Sequence, residues 1–258
     1  MNSVVPSIES NSLRSFGHVA KRSVGVAFGI GTQLLFLWTV LFLFLFLRYG
    51  STNHYASWWW GDTLMAIAFA VPHSLLLAPP CQRWMKRWIP AGLLGCVHCC
   101  VTCITLLGMF HFWGASETVI WRATGWSETI VLGCFYASWV ALLYSLYCTG
   151  MGYQTGLTPW WYWLRQTKPP QRPFVTHGAF RFMRHPVYMS FLGLIWFTPV
   201  MTLDHAILTC VWTIYIYAGS YFKDQRLTRF IGEPYREYGR RVSGLPWIGI
   251  GSLRRFPA

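Results

Sequence analysis

The run VGVAFGIGTQLLFLWTVLFLFLFL, Val24 to Leu47, carries no charge over 24 residues, more than the roughly 20 that an α-helix needs to cross the hydrocarbon core of a bilayer. A cleaved signal peptide has a shorter apolar region followed by small residues at a cleavage point, whereas here Arg48-Tyr49-Gly50 simply ends the run. The stretch therefore reads as a retained transmembrane helix. Working outward, five further apolar runs follow at Thr63–Ala78, Ala91–Trp113, Thr129–Thr149, Val187–Leu203 and Ala206–Phe222. The expectation is an all-α, polytopic helical membrane protein with about six transmembrane helices. Asp204-His205 forms a two-residue connection that makes the last two a tight hairpin.

The charges support that reading independently. Lys and Arg in the successive segments between runs number 3, 1, 3, 1, 5, 0 and 8. Such alternation is the positive-inside pattern of a multi-pass protein and predicts both termini on the cytoplasmic side. A net charge of +13 would suggest nucleic acid in a soluble chain, but here the basic residues lie between apolar runs and suit lipid headgroups instead, with no nucleic-acid partner expected. With 54% hydrophobic and only 11% charged residues, the chain has less than half the charge of an ordinary soluble domain. It reads as one membrane domain, 1–258, with an N-terminal tail at 1–23, a transmembrane region at 24–222 and a cytoplasmic C-terminal segment at 223–258.

Most of the eight cysteines lie inside apolar runs. Cys96, Cys99, Cys100 and Cys103 share one helical stripe, for which small apolar packing is the favoured reading over a metal site. A haem or metal protein using His73, His98 and His111 is a rival, although those histidines fall at different depths.

Ionisable residues at a membrane edge are costly, so they are candidates for function. Three places qualify. The first is Pro72-His73-Ser74, near the end of the second run and ahead of the basic loop Arg83-Trp84-Met85-Lys86-Arg87-Trp88. The second is Thr176 to Tyr188, where Pro186 suits the first turn of a helix and Arg184, His185 and Tyr188 crowd its start. Unpaired amides at such a start favour a carboxylate or phosphate. The third runs from Lys223-Asp224-Gln225-Arg226-Leu227 to Gly232-Glu233-Pro234-Tyr235-Arg236-Glu237-Tyr238. Three-residue spacing sets Tyr235 and Tyr238 on one helical side, where aromatic faces could meet a sulfonium or ammonium.

Taken in order, His73-Ser74 with its basic loop, Arg184-His185-Pro186-Val187-Tyr188, Thr198-Pro199-Val200-Met201-Thr202-Leu203-Asp204-His205 and Gly232 to Tyr238 resemble the isoprenylcysteine carboxyl methyltransferase-like membrane superfamily. The resemblance spans roughly Ala66 to Val242 and is strongest to the methanethiol S-methyltransferase, NnrU and nurim branch. It implies methyl transfer from S-adenosylmethionine, with His185, Pro186, Tyr188, Tyr235 and Tyr238 bordering the cofactor. Family members typically carry Glu-Glu where this chain has Lys223-Asp224, so activity turns on that pair.

The expected reaction is direct displacement on the cofactor methyl by a small thiol such as methanethiol, giving a thioether. A neighbouring cation favours the thiolate, which makes Arg184, Lys223 and Arg226 candidates, with Asp224 orienting a donor or the cofactor amine and His73 bordering the substrate pocket. The alternative is a catalytically inactive, NnrU- or nurim-like membrane protein.

Overall fold

The computed structural model describes residues 7–54, 58–171, 174–246 and 253–257. Among the described residues, four helices are long and apolar enough to cross a membrane, over Arg22–Tyr49, Trp59–Leu77, Ala91–Phe112 and Trp126–Thr149. The first belongs to α1 (Ser7–Tyr49), which starts inside the expected N-terminal tail. The others are α2 (Trp58–Leu77), α4 (Leu94–Phe112) with the 3-10 turn before it, and α5 (Trp126–Thr149). Short α3 (Pro79–Met85) joins α2 to the basic loop, while α6 (Met151–Gln154) and α7 (Leu157–Leu164) follow α5.

The bundle is packed from its apolar faces. Leu43 and Phe46 of α1, Met109 of α4, Phe135 of α5, Leu194 of α8 (Pro186–Trp196) and Leu208 of α9 (Leu203–Ile231) all belong to one buried cluster. Leu37, Val140 and Ile214 point outward and are more than 60% exposed, as suits a helix whose outer face meets lipid rather than water. Hydroxyls buried among these helices donate to their own backbone one turn back: Thr39 to the Leu35 carbonyl at 2.7 Å and Ser145 to Ala141 at 2.7 Å. That meets the demand for internal partners where no water is at hand. At Gly29, a Cβ would run into the Trp160 indole of α7, so glycine there lets α7 dock on α1. The neighbouring Gly25 carbonyl accepts from Trp160 Nε1 at 2.9 Å.

The expected two-residue hairpin at Asp204-His205 needs correction. α8 (Pro186–Trp196) ends early, β2 (Val200–Thr202) follows, and α9 (Leu203–Ile231) starts before Asp204. Pro199 explains this, because it offers no N–H and biases Thr198 towards extended backbone. β2 pairs antiparallel with β1 (Val119–Arg122), Val119 opposite Thr202 and Arg122 opposite Val200. The strands are a small departure from an all-α fold, and they place Asp204 and His205, both buried, in the first turn of α9.

At 11 residues, α8 is only about 16 Å long, roughly half the hydrocarbon thickness. α9 behaves oppositely. Its 29 residues reach about 43 Å, and it runs straight through Lys223-Asp224, where hydropathy predicts an end. Only Gly232, with φ +78°, stops it. Pro234 then stands in the first turn of α10 (Glu233–Arg241).

Candidate functional site

The chain enters α8 through Arg184 and His185, and the C-terminal segment returns to meet it. Arg184 N–H donates to the Ser243 carbonyl at 2.9 Å and His185 N–H to Gly244 at 3.1 Å. These two bonds fasten the end of α10 beside the start of α8. α9, extended past the apolar layer, supplies Asp224 between them.

The resulting cluster is buried and ionic. Arg184 Nη2 lies 2.8 Å from Asp224 Oδ2, and the Tyr235 hydroxyl donates to Asp224 Oδ1 at 2.5 Å. Arg184 Nη1 donates to the carbonyls of Val242 at 2.6 Å and Gly239 at 3.2 Å, and Nη2 donates to that of Arg254 at 3.1 Å. Its guanidinium carbon sits 4.3 Å from the centre of the Phe256 ring. One arginine thus ties α8, α9, α10 and the chain's last residues together.

His185 is fully buried. Its Nε2 lies 3.1 Å from Asp224 Oδ1, and among the described residues its Nδ1 has no hydrogen-bond partner. Burial pushes the imidazole below its ordinary pKa of 6.5, against the opposing pull of Asp224. Burial alone would raise the Asp224 carboxyl, but His185, Arg184 and Tyr235 outweigh it and hold the group below its ordinary 3.8. The cluster is therefore a neutral imidazole beside a true ion pair. Burial and the Asp224 charge push the Tyr235 phenol up, so it stays a donor.

Of the residues expected at a site, Arg184, His185, Asp224, Tyr235 and Tyr238 converge here. Pro186 opens α8, and Tyr188 stacks on His185 with ring centres 5.3 Å apart. The Lys223 ammonium lies 5.0 Å from the Tyr188 ring centre. The aromatic wall differs from expectation. Tyr235 and Tyr238 do share one side of α10, but Phe174 packs on both, and the Tyr238 hydroxyl donates to the Phe180 carbonyl at 2.6 Å. That side of α10 is the face that closes on Arg184. Arg226 points elsewhere, within electrostatic reach of His98 and Tyr188.

His73 stands apart, between α2 and α4. Its Nδ1 lies 3.3 Å from Thr102 Oγ1, and its ring centre is 4.9 Å from that of His98. Among the described residues no three His, Cys, Asp or Glu side chains gather as metal ligands. Cys96, Cys99 and Cys103 are buried in the packing of α4.

A second polar cluster, at the opposite end of the bundle, went unnoticed in the sequence reading. Asp62 of α2 is 1% exposed and accepts from Gly114 N–H at 2.8 Å, while Asp204 accepts from Trp113 Nε1 at 3.2 Å and Ser116 N–H at 3.1 Å. Beside it a cavity of about 360 Å³ is lined in part by Arg48, Ser116, Glu128, Asp204 and His205. The signal available was Asp62 itself, an acid immediately ahead of the second apolar run.

Fold and cluster together define a multi-pass integral membrane protein with a buried ionic centre at one end of its helices. Comparison with known proteins sharpens the class. Over 197 residues the chain is 29% identical to methanethiol S-methyltransferase of Pseudomonas deceptionensis, covering 76% of this chain and 74% of that one. It is 27% identical over 237 residues to methanethiol S-methyltransferase 1 of Bradyrhizobium diazoefficiens, covering 87% and 82%. Nurim of Rattus norvegicus is more distant, 26% identical over 165 residues and covering 60% and 62%. The chain is thus a relative of the methanethiol S-methyltransferases and of nurim, as the motifs imply. No family model and no solved structure matches it.

Proposed function

We propose that this chain is a membrane methyltransferase that moves a methyl group from S-adenosylmethionine to a small thiol. The observation that carries the reading is its similarity to a methanethiol S-methyltransferase along three-quarters of both chains. The cluster supports it, because a buried imidazole whose Nδ1 has no hydrogen-bond partner among the described residues, at the head of a helix, is an arrangement that awaits a polar ligand. The residues fit the cofactor. With Nε2 turned to Asp224, the neutral His185 keeps Nδ1 as an acceptor, and the Val187 and Tyr188 amides precede the first bond of α8, from Met189 N–H to the His185 carbonyl at 3.0 Å, so they can receive a carboxylate. When bound, S-adenosylmethionine supplies an electrophilic methyl group on a sulfonium.

The protein's own part is alignment and charge. Arg184 and Asp224 act as positioning residues, since both are spent on holding α8, α9 and α10 in register. His185, Tyr188 and the α8 amides border the cofactor. Lys223 and Arg226 lend positive potential around Tyr188, which favours an anionic sulfur. In this reading Lys223-Asp224 replaces Glu-Glu without breaking the cluster, because Asp224 alone completes it.

We place the cluster on the cytoplasmic side, from the alternation of basic residues. α8 with the extended residues after it, and then the first part of α9, complete a fifth and sixth crossing. Titrating S-adenosylmethionine into the detergent-purified, folded protein by calorimetry tests the reading: saturable binding supports it, and none removes it. One observation favours the nurim-like alternative, in which no chemistry occurs. Arg184 and Asp224 satisfy each other as a purely structural clasp would. Binding without transfer to any thiol would leave that reading standing.

A further inference from the structure

Resting on the thiol methyltransferase reading, we infer that His73 is the base that takes the proton from the acceptor thiol, in a tautomer fixed by Thr102. The hydrogen bonds decide the tautomer. Thr102 Oγ1 lies 2.8 Å from the His98 carbonyl, which can only accept, so the hydroxyl's one proton is committed there. Its oxygen must then accept from His73 Nδ1, 3.3 Å away. His73 therefore carries a proton on Nδ1, and in its neutral form keeps a lone pair on Nε2. His98 is fixed likewise, since its Nε2 faces the His73 carbonyl at 3.3 Å and must donate. Two imidazoles thus stand side by side, each with its donor nitrogen set by a backbone carbonyl or a hydroxyl.

The surroundings suit a small apolar thiol near that lone pair. Phe69 stacks on His73 with ring centres 5.5 Å apart, and Tyr215 meets it edge-on at 6.4 Å. The Tyr215 hydroxyl is 3.0 Å from Ser74 Oγ. Along α9, Tyr215 is followed at helical spacing by Gly219, then Lys223. A Cβ at Gly219 would stand 3.8 Å from the Tyr188 hydroxyl, so this face of α9 lies against Tyr188. Arg226 is within electrostatic reach of His98 on one side and Tyr188 on the other. The line from His185 through Tyr188 to His73 thus joins the cofactor residues to a base.

The base has a task, because an alkyl thiol with a pKa near 8.5 or above is mostly protonated at neutral pH and the thiolate is the nucleophile. The S–H bond breaks, its electron pair stays on sulfur and its proton passes to His73 Nε2. That sulfur forms the new bond to the methyl carbon, whose old bond breaks with its pair returning to the donor sulfur. His73 then releases the proton to water, one per turnover.

Two thiols separate a base from a packing residue: methanethiol, protonated at neutral pH, and a nitro-substituted aryl thiol, ionised there. His73→Gln is expected to bind S-adenosylmethionine by calorimetry as wild type does. It should lose about 100-fold in kcat/KM with methanethiol, the low end for a general base, and less than about 3-fold with the aryl thiol. Thr102→Val, which frees the tautomer but keeps the imidazole, should show the same selectivity at smaller size and serves if His73→Gln does not fold. Equal losses on the two thiols, or no loss on methanethiol, would overturn the role of His73 while leaving the methyltransferase standing. A folded wild type that binds no S-adenosylmethionine and methylates neither thiol would overturn both.

Discussion

The two buried carboxylate centres, one at each end of the helices, are built on opposite principles. At the α10 end, Asp224 faces Arg184 at 2.8 Å, a tyrosine hydroxyl and an imidazole. At the strand end, the hydrogen bonds that Asp62 and Asp204 accept among the described residues come from amides and an indole, and Asp62 Oδ2 is buried with no hydrogen-bond partner among those residues. Charge is thus stabilised at one end and merely tolerated at the other. The first centre joins four segments far apart in sequence. The second ties the 113–116 loop to α2 and α9.

The largest expected difference is the cost of removing each acid. Asp224→Ala strands a buried guanidinium and should destabilise the protein by about 3–5 kcal/mol, seen as a lower midpoint in a detergent unfolding titration. Tyr235→Phe removes a hydrogen bond to the same carboxylate and should cost about 1.5–3 kcal/mol. Asp62→Asn keeps the oxygen that accepts from Gly114 and discards the unsatisfied charge, so its cost should be under about 1 kcal/mol. If Asp62→Asn proved as damaging as Asp224→Ala, the contrast between the ends would be lost.

Acidity sharpens the same contrast. His185 is held below 6.5, so it is neutral in the folded protein while the unfolded chain takes up a proton below that pH. The stability it contributes is present above pH 6.5 and falls as pH drops from there towards its folded value. Asp224 is held below 3.8, so its contribution persists down to that pH and is lost as pH falls through the folded value beneath it. Unfolding midpoints measured from pH 7.5 to 5.5 should therefore decline, and His185→Asn should flatten that decline.

Much of this was legible in sequence because a bilayer leaves few choices. The length of Val24–Leu47 requires a span, and the alternation of basic residues orders the segments. Arg184, His185, Asp224, Tyr235 and Tyr238 could be singled out because charge and aromatic residues crowd a membrane edge. Their division of labour could not. Arg184 is enclosed by carbonyls of Gly239, Val242 and Arg254 and by the Phe256 ring, contacts that no local periodicity announces. The early end of α8 was hidden because Phe197 and Val200 are as apolar as a helix requires, and only Pro199 marked the break. Asp62 lay in plain view but was overlooked beside three basic-rich segments.

The central claim is that the buried cluster forms the cofactor site of a thiol methyltransferase. Dimethyl sulfide released into the headspace over purified protein, supplied with S-adenosylmethionine and methanethiol, tests it most directly. Wild type should produce dimethyl sulfide, and His185→Ala, confirmed as folded, should produce at least about 10-fold less. No product from folded wild type, or equal product from His185→Ala, would contradict the account.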